Sequence, residues 1–247
     1  MRLLALLLVP CLLPAAEPDS LLALIHQRVA DWRRDLPDFL CTQESTLNRT
    51  NRGRGVRLSD SALYEVQVVQ GRESYFLKTD SGIDLKQSEP IDFPAMNNRG
   101  EFASALLLLF DAPTQTIFHR ADRETVEGRR LRRYEFSVRQ ENSRWFVGPG
   151  SGYCPAYSGS FWADEKDGRI YRLHMEAHRF PRRYVVQDAA LTVNFKTVTI
   201  EGEPFLMPSQ AAVIACRNLM DCDRAYMAFT NYRHFTATSS LAFNDQE

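Results

Sequence analysis

Gly159-Ser-Phe-Trp-Ala-Asp-Glu-Lys-Asp-Gly-Arg-Ile-Tyr-Arg-Leu-His-Met-Glu-Ala177 is the stretch whose reading decides the fold. In its second limb Tyr171, Leu173, Met175 and Ala177 alternate with Arg172, His174 and Glu176. Side chains leave a pleated strand on opposite sides in turn, so the first set faces an apolar interior and the second faces water. The first limb, Phe161-Trp162-Ala163, is aromatic and ends at Asp164. Between the limbs, Asp167-Gly168 supplies the left-handed backbone position that a tight reversal needs. The stretch predicts a β-hairpin in an antiparallel sheet with one wet face.

The pattern repeats outward from there. Tyr64 to Lys78 reads as a second hairpin, with Val66, Val68 and Phe76 inward and Gln70-Gly71-Arg72 as the turn. Thr114 to Val147 reads as three strands, separated by Ala121-Asp122-Arg123 and by Gln140-Glu141-Asn142. Further strands are expected at 184–187, 191–200, 205–208, 211–216 and 225–235, with Glu201-Gly202 as a turn and Leu241 and Phe243 as a last edge. Two segments break the period. Over 18–36, Leu22, Ile25, Val29, Trp32 and Leu36 recur three and four apart, which predicts an amphipathic helix stopped by Pro37. Phe102 to Phe110 is apolar on all sides and rich in helix formers, which predicts a short helix held in a core, a cavity mouth or a partner surface. The fold class is therefore α+β, mainly antiparallel β, drawn as one domain over 17–247.

The chain's 247 residues carry a net charge of −1 and are 44% hydrophobic, which excludes disorder and any global pull toward nucleic acid. Met1-Arg2, the apolar run Leu3 to Leu13 and Pro14-Ala15-Ala16 have the three regions of a secretory signal peptide, too short to span a membrane. The chain is read as exported to the periplasm after loss of residues 1–16. Cys11 follows Pro10 where a lipobox wants a small residue, so lipoprotein anchoring is not expected. Cys41, Cys154, Cys216 and Cys222 remain, and in an oxidising compartment they suggest two disulfides with three connectivities. Cys216 and Cys222 enclose only five residues between two strand-like runs, so their pairing is favoured, and elimination then joins Cys41 to Cys154. Four unpaired thiols are the alternative.

Candidate chemistry is sparse. His174 and His178 would share a face on a helix and grip a metal. On a strand they stand about 13 Å apart, so no metal is expected. The glycines at 148–152 lack the G-x-G-x-x-G spacing and precede no helix, which leaves no nucleotide site. No serine sits in a G-x-S-x-G elbow, and no acid, base, nucleophile and orienter can be nominated together, so neither an enzyme nor a cofactor is expected. The run Arg129-Arg130-Leu131-Arg132-Arg133 is the densest in charge, and it reads as a solvated or edge-protecting strand, with an anionic-partner patch as the sharper alternative.

The hairpin Gly159 to Asp164 and Asp167 to Leu173 resembles that of the outer-membrane lipoprotein carrier superfamily, which includes the LolA and LolB carriers and the amino-terminal domain of the RseB/MucB sensors. Val193-Asn-Phe195, Gly202, Phe205-Leu206-Met207-Pro208 and Asn231 to Phe235 resemble its closing strands, while the cysteines and the 148–152 loop depart from it. The resemblance implies an unclosed, half β-barrel with helices over the open face and an apolar cavity for acyl chains. On that reading Phe102, Leu106, Leu109 and Phe110 line the cavity, with Tyr171, Leu173 and Met175 opposite. Two functions follow as expectations: an exported module that binds an acyl chain or other apolar ligand, or an envelope structural or sensing protein whose core is filled and whose basic strand meets a protein partner.

Overall fold

The 159–177 hairpin lies within an eleven-stranded antiparallel sheet. The computed structural model describes residues 19–50, 56–70, 72–79, 82–87, 104–149, 152–177, 179–218 and 221–235. The expectations at 1–16, Cys11, Gly71, Phe102, His178, Leu241 and Phe243 lie outside them. The strands are β1 (Phe39–Thr50), β2 (Val56–Val69), β3 (Arg72–Thr79), β4 (Gly82–Gln87), β5 (Ile117–Val126) and β6 (Arg129–Val138). They continue with β7 (Tyr157–Ala163), β8 (Ile170–Ala177), β9 (Asp188–Ile200), β10 (Glu203–Asn218) and β11 (Asp221–His234). Among the described residues two α-helices accompany them, α1 (Ser20–Asp35) and α2 (Ser104–Phe110).

The strand order is β4-β3-β2-β1-β11-β10-β9-β8-β7-β6-β5. The first strand therefore pairs with the last, with Leu47 opposite Ala225 and Ser45 opposite Met227. Every other pairing joins sequence neighbours, the local hairpin topology that short connections favour. The free edges are β4 and β5, and α2 lies on the chain between them. The barrel is unclosed at that point.

One face of the sheet carries the core. Tyr134, Phe161, Leu173, Met175 and Leu191 are each less than 2% exposed, and Val193, Val213, Met227 and Phe229 continue the layer. Both helices lie on this face. From α1, Leu21, Ile25 and Val29 are buried. From α2, Leu106 and Leu109 are buried, and Phe110 stacks on Phe118 at 5.3 Å and tilts onto Phe161 at 5.6 Å. Tyr134 in turn stacks on Phe161 at 5.2 Å. Aromatic rings offset in this way add to their burial.

The structure corrects five local expectations. In β3, Tyr75 stands opposite Val66 and is buried, while Phe76, opposite Glu65, lies on the other face because side chains alternate along the strand. β5 runs unbroken through Ala121-Asp122-Arg123, where a register shift between Arg120 and Arg123 is accommodated as a bulge, and the turn falls at Glu127-Gly128. Both turn residues have positive φ, 50° and 76°, which matches the twist of a two-residue hairpin. The third strand expected before Val147 reduces to a single bridge between Val147 and Tyr153. Residues 184–187 are turns rather than strand, held where the Gln187 side-chain amide donates to the carbonyls of Tyr184 and Val186. In β8, the pairing shifts between Trp162 and Ala163, so Ile170 rather than Tyr171 takes the inward position.

The cysteines divide. Cys216 and Cys222 are directly opposite each other in the β10–β11 ladder and are disulfide-bonded, with Cα atoms 4.0 Å apart. Cys41 and Cys154 are free thiols, which overturns the pairing reached by elimination. Cys41 is in β1 and Cys154 precedes β7, and β11, β10, β9 and β8 separate those strands in the sheet.

Candidate functional site

The site is set by how α1 is seated. Its N-cap is Asp19, whose Oδ1 accepts from the amides of Leu21 and Leu22. Those two donors would otherwise lack helical partners. Half-way along the helix, Arg28 Nε donates to the Asp167 carbonyl at 3.1 Å, which ties α1 to the β7–β8 turn. Gly168 in that turn has φ +70°, and a Cβ there would meet Leu24 Cγ at 2.9 Å. The helix lies that close to the turn because the residue has no side chain.

A cleft opens beyond this contact, between the carboxyl-terminal half of α1 and the sheet. It has a volume of about 180 Å³, and Val29, Trp32, Leu106, Ile170, Phe205 and Leu206 supply its apolar wall. Arg28, Asp31, Asp35 and Arg169 stand at its edge. Trp32 Nε1 is buried without a hydrogen-bond acceptor. The cleft is thus apolar inside and charged at the mouth. Such a lining suits a chain-like apolar ligand with a polar end.

The residues nominated from sequence are placed as follows. Leu106 borders the cleft, and Leu109 is buried in the core at 1% exposure. Phe110 packs against His26, Phe118 and Phe161. Leu173 and Met175 are wholly buried on the same sheet face. Tyr171 stands apart, half-buried beneath the Arg129 guanidinium, whose centre is 4.2 Å from the ring centroid. Val29, Trp32, Ile170, Phe205 and Leu206 were legible in the sequence only as core or strand positions. No short motif marks them as a wall, because they come from three separate segments.

In the basic run, Arg132 Nη2 meets Glu165 at 2.7 Å, Arg133 Nε meets Glu124 at 3.1 Å, and Arg129 reaches Asp164 at 4.0 Å. Glu165 also receives Arg123 at 2.8 Å. The hydrogen bond from Arg123, with that from Arg132 and the charge of both, outweighs the opposing effect of burial and holds its carboxyl below the ordinary range. His174 Nδ1 lies 2.8 Å from Thr192 Oγ1 and its Nε2 lies 2.8 Å from Glu176 Oε1, a network that spans β8 and β9. Among the described residues, no three His, Cys, Asp or Glu side chains are grouped to hold a metal ion. No helix among them is long and apolar enough to cross a membrane.

An unclosed antiparallel sheet with a leading helix on its inner face is the LolA-like arrangement implied by the hairpin resemblance. No family model and no curated protein matches the chain. Among solved structures, it is similar to a domain from Vibrio parahaemolyticus assigned to outer membrane lipoprotein sorting, at 13% identity and a TM-score of 0.47, covering 87% of this chain and 92% of that one. A DUF1329 family protein from Desulfovibrio piger is similar at 12% identity and a TM-score of 0.45, over 90% and 96% of the two chains. A LolA superfamily protein from Nitrosomonas europaea is similar at 11% identity and a TM-score of 0.43, over 87% and 93%.

Proposed function

We propose that this chain is an exported envelope protein that holds an acyl chain or another apolar ligand between its sheet and its two helices. The observation that carries this reading is the cleft between α1, Leu106 and the β9–β10 hairpin. Its apolar wall would take hydrocarbon, while Arg28 and Arg169 are donors suited to a carboxylate or ester end. Leu109, Phe110, Leu173 and Met175 lie deeper and would bound the ligand's far end if α2 lifts. The leader-like residues 1–16 and the Cys216–Cys222 disulfide support an oxidising, extracytoplasmic compartment.

A second reading has its own observation. Leu109 is 1% exposed and Phe110 is already stacked on Phe118, so α2 is a plug in a filled core, and the chain acts through its surface. A fluorescent acyl probe separates the two. The carrier reading expects saturable binding by the folded wild type, weakened in Leu206→Arg, which places a charge on the half-buried cleft wall. Folded wild type that takes up no probe removes the carrier reading and leaves the plug.

A further inference from the structure

The end of the sheet opposite the cleft carries a lobe built from two connections. Residues 139–149 and 152–156 lead from β6 to β7, and residues 179–187 lead from β8 to β9. Tyr184 locks them together: its hydroxyl donates to the Val147 carbonyl at 2.7 Å, and its ring stacks on Phe180 at 5.8 Å. Tyr153 tilts onto both rings at 5.8 and 5.5 Å. Gly148 has φ +101°, and a Cβ there would meet the Tyr184 hydroxyl at 2.2 Å, so the close contact requires glycine. The lobe is a built feature of the fold.

Its outer surface is unlike the rest of the molecule. Phe146 is 56% exposed, the highest value among the exposed large apolar side chains described, and Val185 is 37% exposed. Around them Arg144, Arg179, Arg182 and Arg183 are exposed and make no ion pair among the described residues. Only Glu141 among the described residues of these segments is acidic, and it lies 4.0 Å from Arg139. Arg129, Arg132 and Arg133 of the β6 run each stand beside a carboxylate, whereas Arg144, Arg179, Arg182 and Arg183 do not among the described residues. A single exposed phenylalanine means little on its own. One held on a rigid aromatic base amid unpaired guanidinium groups combines an apolar anchor with charge complementary to an anionic surface.

We propose that this lobe docks on the surface of an anionic lipid bilayer, with Phe146 entering the interface and Arg144, Arg179, Arg182 and Arg183 meeting lipid phosphates. The proposal does not rest on acyl-chain binding, since the cleft lies at the other end of the strands, and the two tests can fail separately. An acidic protein partner is the competing occupant.

The test is co-sedimentation of the purified chain with vesicles of phosphatidylcholine containing one quarter phosphatidylglycerol, and with phosphatidylcholine alone. Partitioning to the anionic vesicles is expected, and it should fall as salt screens the arginines. Arg182→Ser with Arg183→Ser should lower it roughly 20–30-fold, since each basic residue near such a surface contributes about fivefold. Phe146→Ser should lower it further at unchanged thermal midpoint, and Phe146→Trp should add a blue-shifted emission on vesicle addition. Equal partitioning to both vesicle types, none to either, or partitioning indifferent to the double arginine variant would overturn the proposal. Salt-sensitive capture by an acidic protein without vesicle binding would overturn it in favour of a protein partner.

Discussion

Asp19 and Tyr134 are joined by a 2.8 Å hydrogen bond in which the phenol donates to the carboxylate Oδ2. The other carboxylate oxygen caps α1, so one side chain fixes both the start of the helix and its position over β6. Burial pushes this carboxyl upward, but the hydrogen bonds from Tyr134, Leu22 and Leu21 and the charge of Arg120 outweigh it and hold it below its ordinary value. A group lowered on folding stabilises the native state above its unfolded pKa, and that contribution is lost as pH falls through the folded value. Asp19→Ala should cost about 1–3 kcal/mol at neutral pH, from a lost cap and an orphaned phenol. As pH falls below about 4, toward the lowered folded value, the wild type should lose stability more steeply than Asp19→Asn. Urea denaturation at several pH values measures both.

Tyr157 offers the opposite case to Tyr134. Its hydroxyl is buried without a hydrogen-bond partner, under the edge of the Trp145 ring at 5.6 Å. Burial pushes its pKa up to about 12. Removing an unsatisfied polar atom while keeping the ring is neutral or favourable, whereas removing a satisfied one costs about 1 kcal/mol. Tyr157→Phe should therefore hold or raise the denaturation midpoint, and Tyr134→Phe should lower it. The wild type should also lose stability as pH rises from 10 toward about 12, because the unfolded phenol ionises first, and Tyr157→Phe should lose less.

Gly128 and Gly168 both have positive φ, +76° and +70°, but only Gly168 is also crowded. At Gly128 an added Cβ meets nothing within 4 Å, while at Gly168 it meets Leu24 Cγ at 2.9 Å. Gly128→Ala should cost about 1 kcal/mol of backbone strain. Gly168→Ala should cost roughly 2–4 kcal/mol, strain plus displacement of α1. Equal shifts in the two thermal midpoints would show that the helix is free to move away from the turn.

The hairpins were legible because period two survives wherever one face is buried, as at Leu173, Met175 and Ala177. Bulges defeated it. The shift between Trp162 and Ala163 moved Ile170 inward and left Tyr171 under Arg129, and the shift after Arg120 made a turn of what is continuous strand. Glu127-Gly128 and Glu201-Gly202 form the same kind of turn with both φ values positive, yet only the second was read from sequence. The Cys41 and Cys154 pairing failed for a different reason. Elimination counts thiols and carries no knowledge of which strands are neighbours. The candidate cleft was legible in part: Leu106 came from the apolar helix, but Phe205 and Leu206 meet it only through the β9–β10 hairpin.

The thiols should react in a fixed order. Cys41 is wholly buried, and burial, reinforced by Glu73 and Glu65 against Arg233, pushes its thiol far up. Cys154 is half-buried and is also raised by burial. Iodoacetamide on the folded chain should label Cys154 first, label Cys41 only after unfolding, and leave Cys216 and Cys222 unlabelled until reduced. The short loop closed by that disulfide gives roughly 2–2.5 kcal/mol in the chain-entropy model, so Cys216→Ser with Cys222→Ser should lower stability by about that much.

The last prediction concerns α2. Leu109, in α2, is 1% exposed, and α2 is the helix that a ligand would have to displace. Leu109→Ala removes buried methyl groups whose space the aromatic cluster around Phe161 cannot easily refill, and should cost about 2–5 kcal/mol. A bound ligand adds stability by mass action, about 2.7 kcal/mol at a hundred times its dissociation constant. If an acyl chain enters between α2 and the sheet, it should occupy the void left by the leucine. A saturating fatty acid would then raise the thermal midpoint of Leu109→Ala by more than it raises that of the wild type. Leu206→Arg, altered at the cleft rather than in α2, should gain less than either. A fatty acid that raises none of the three midpoints would place α2 among the core elements and the chain's function on its surface.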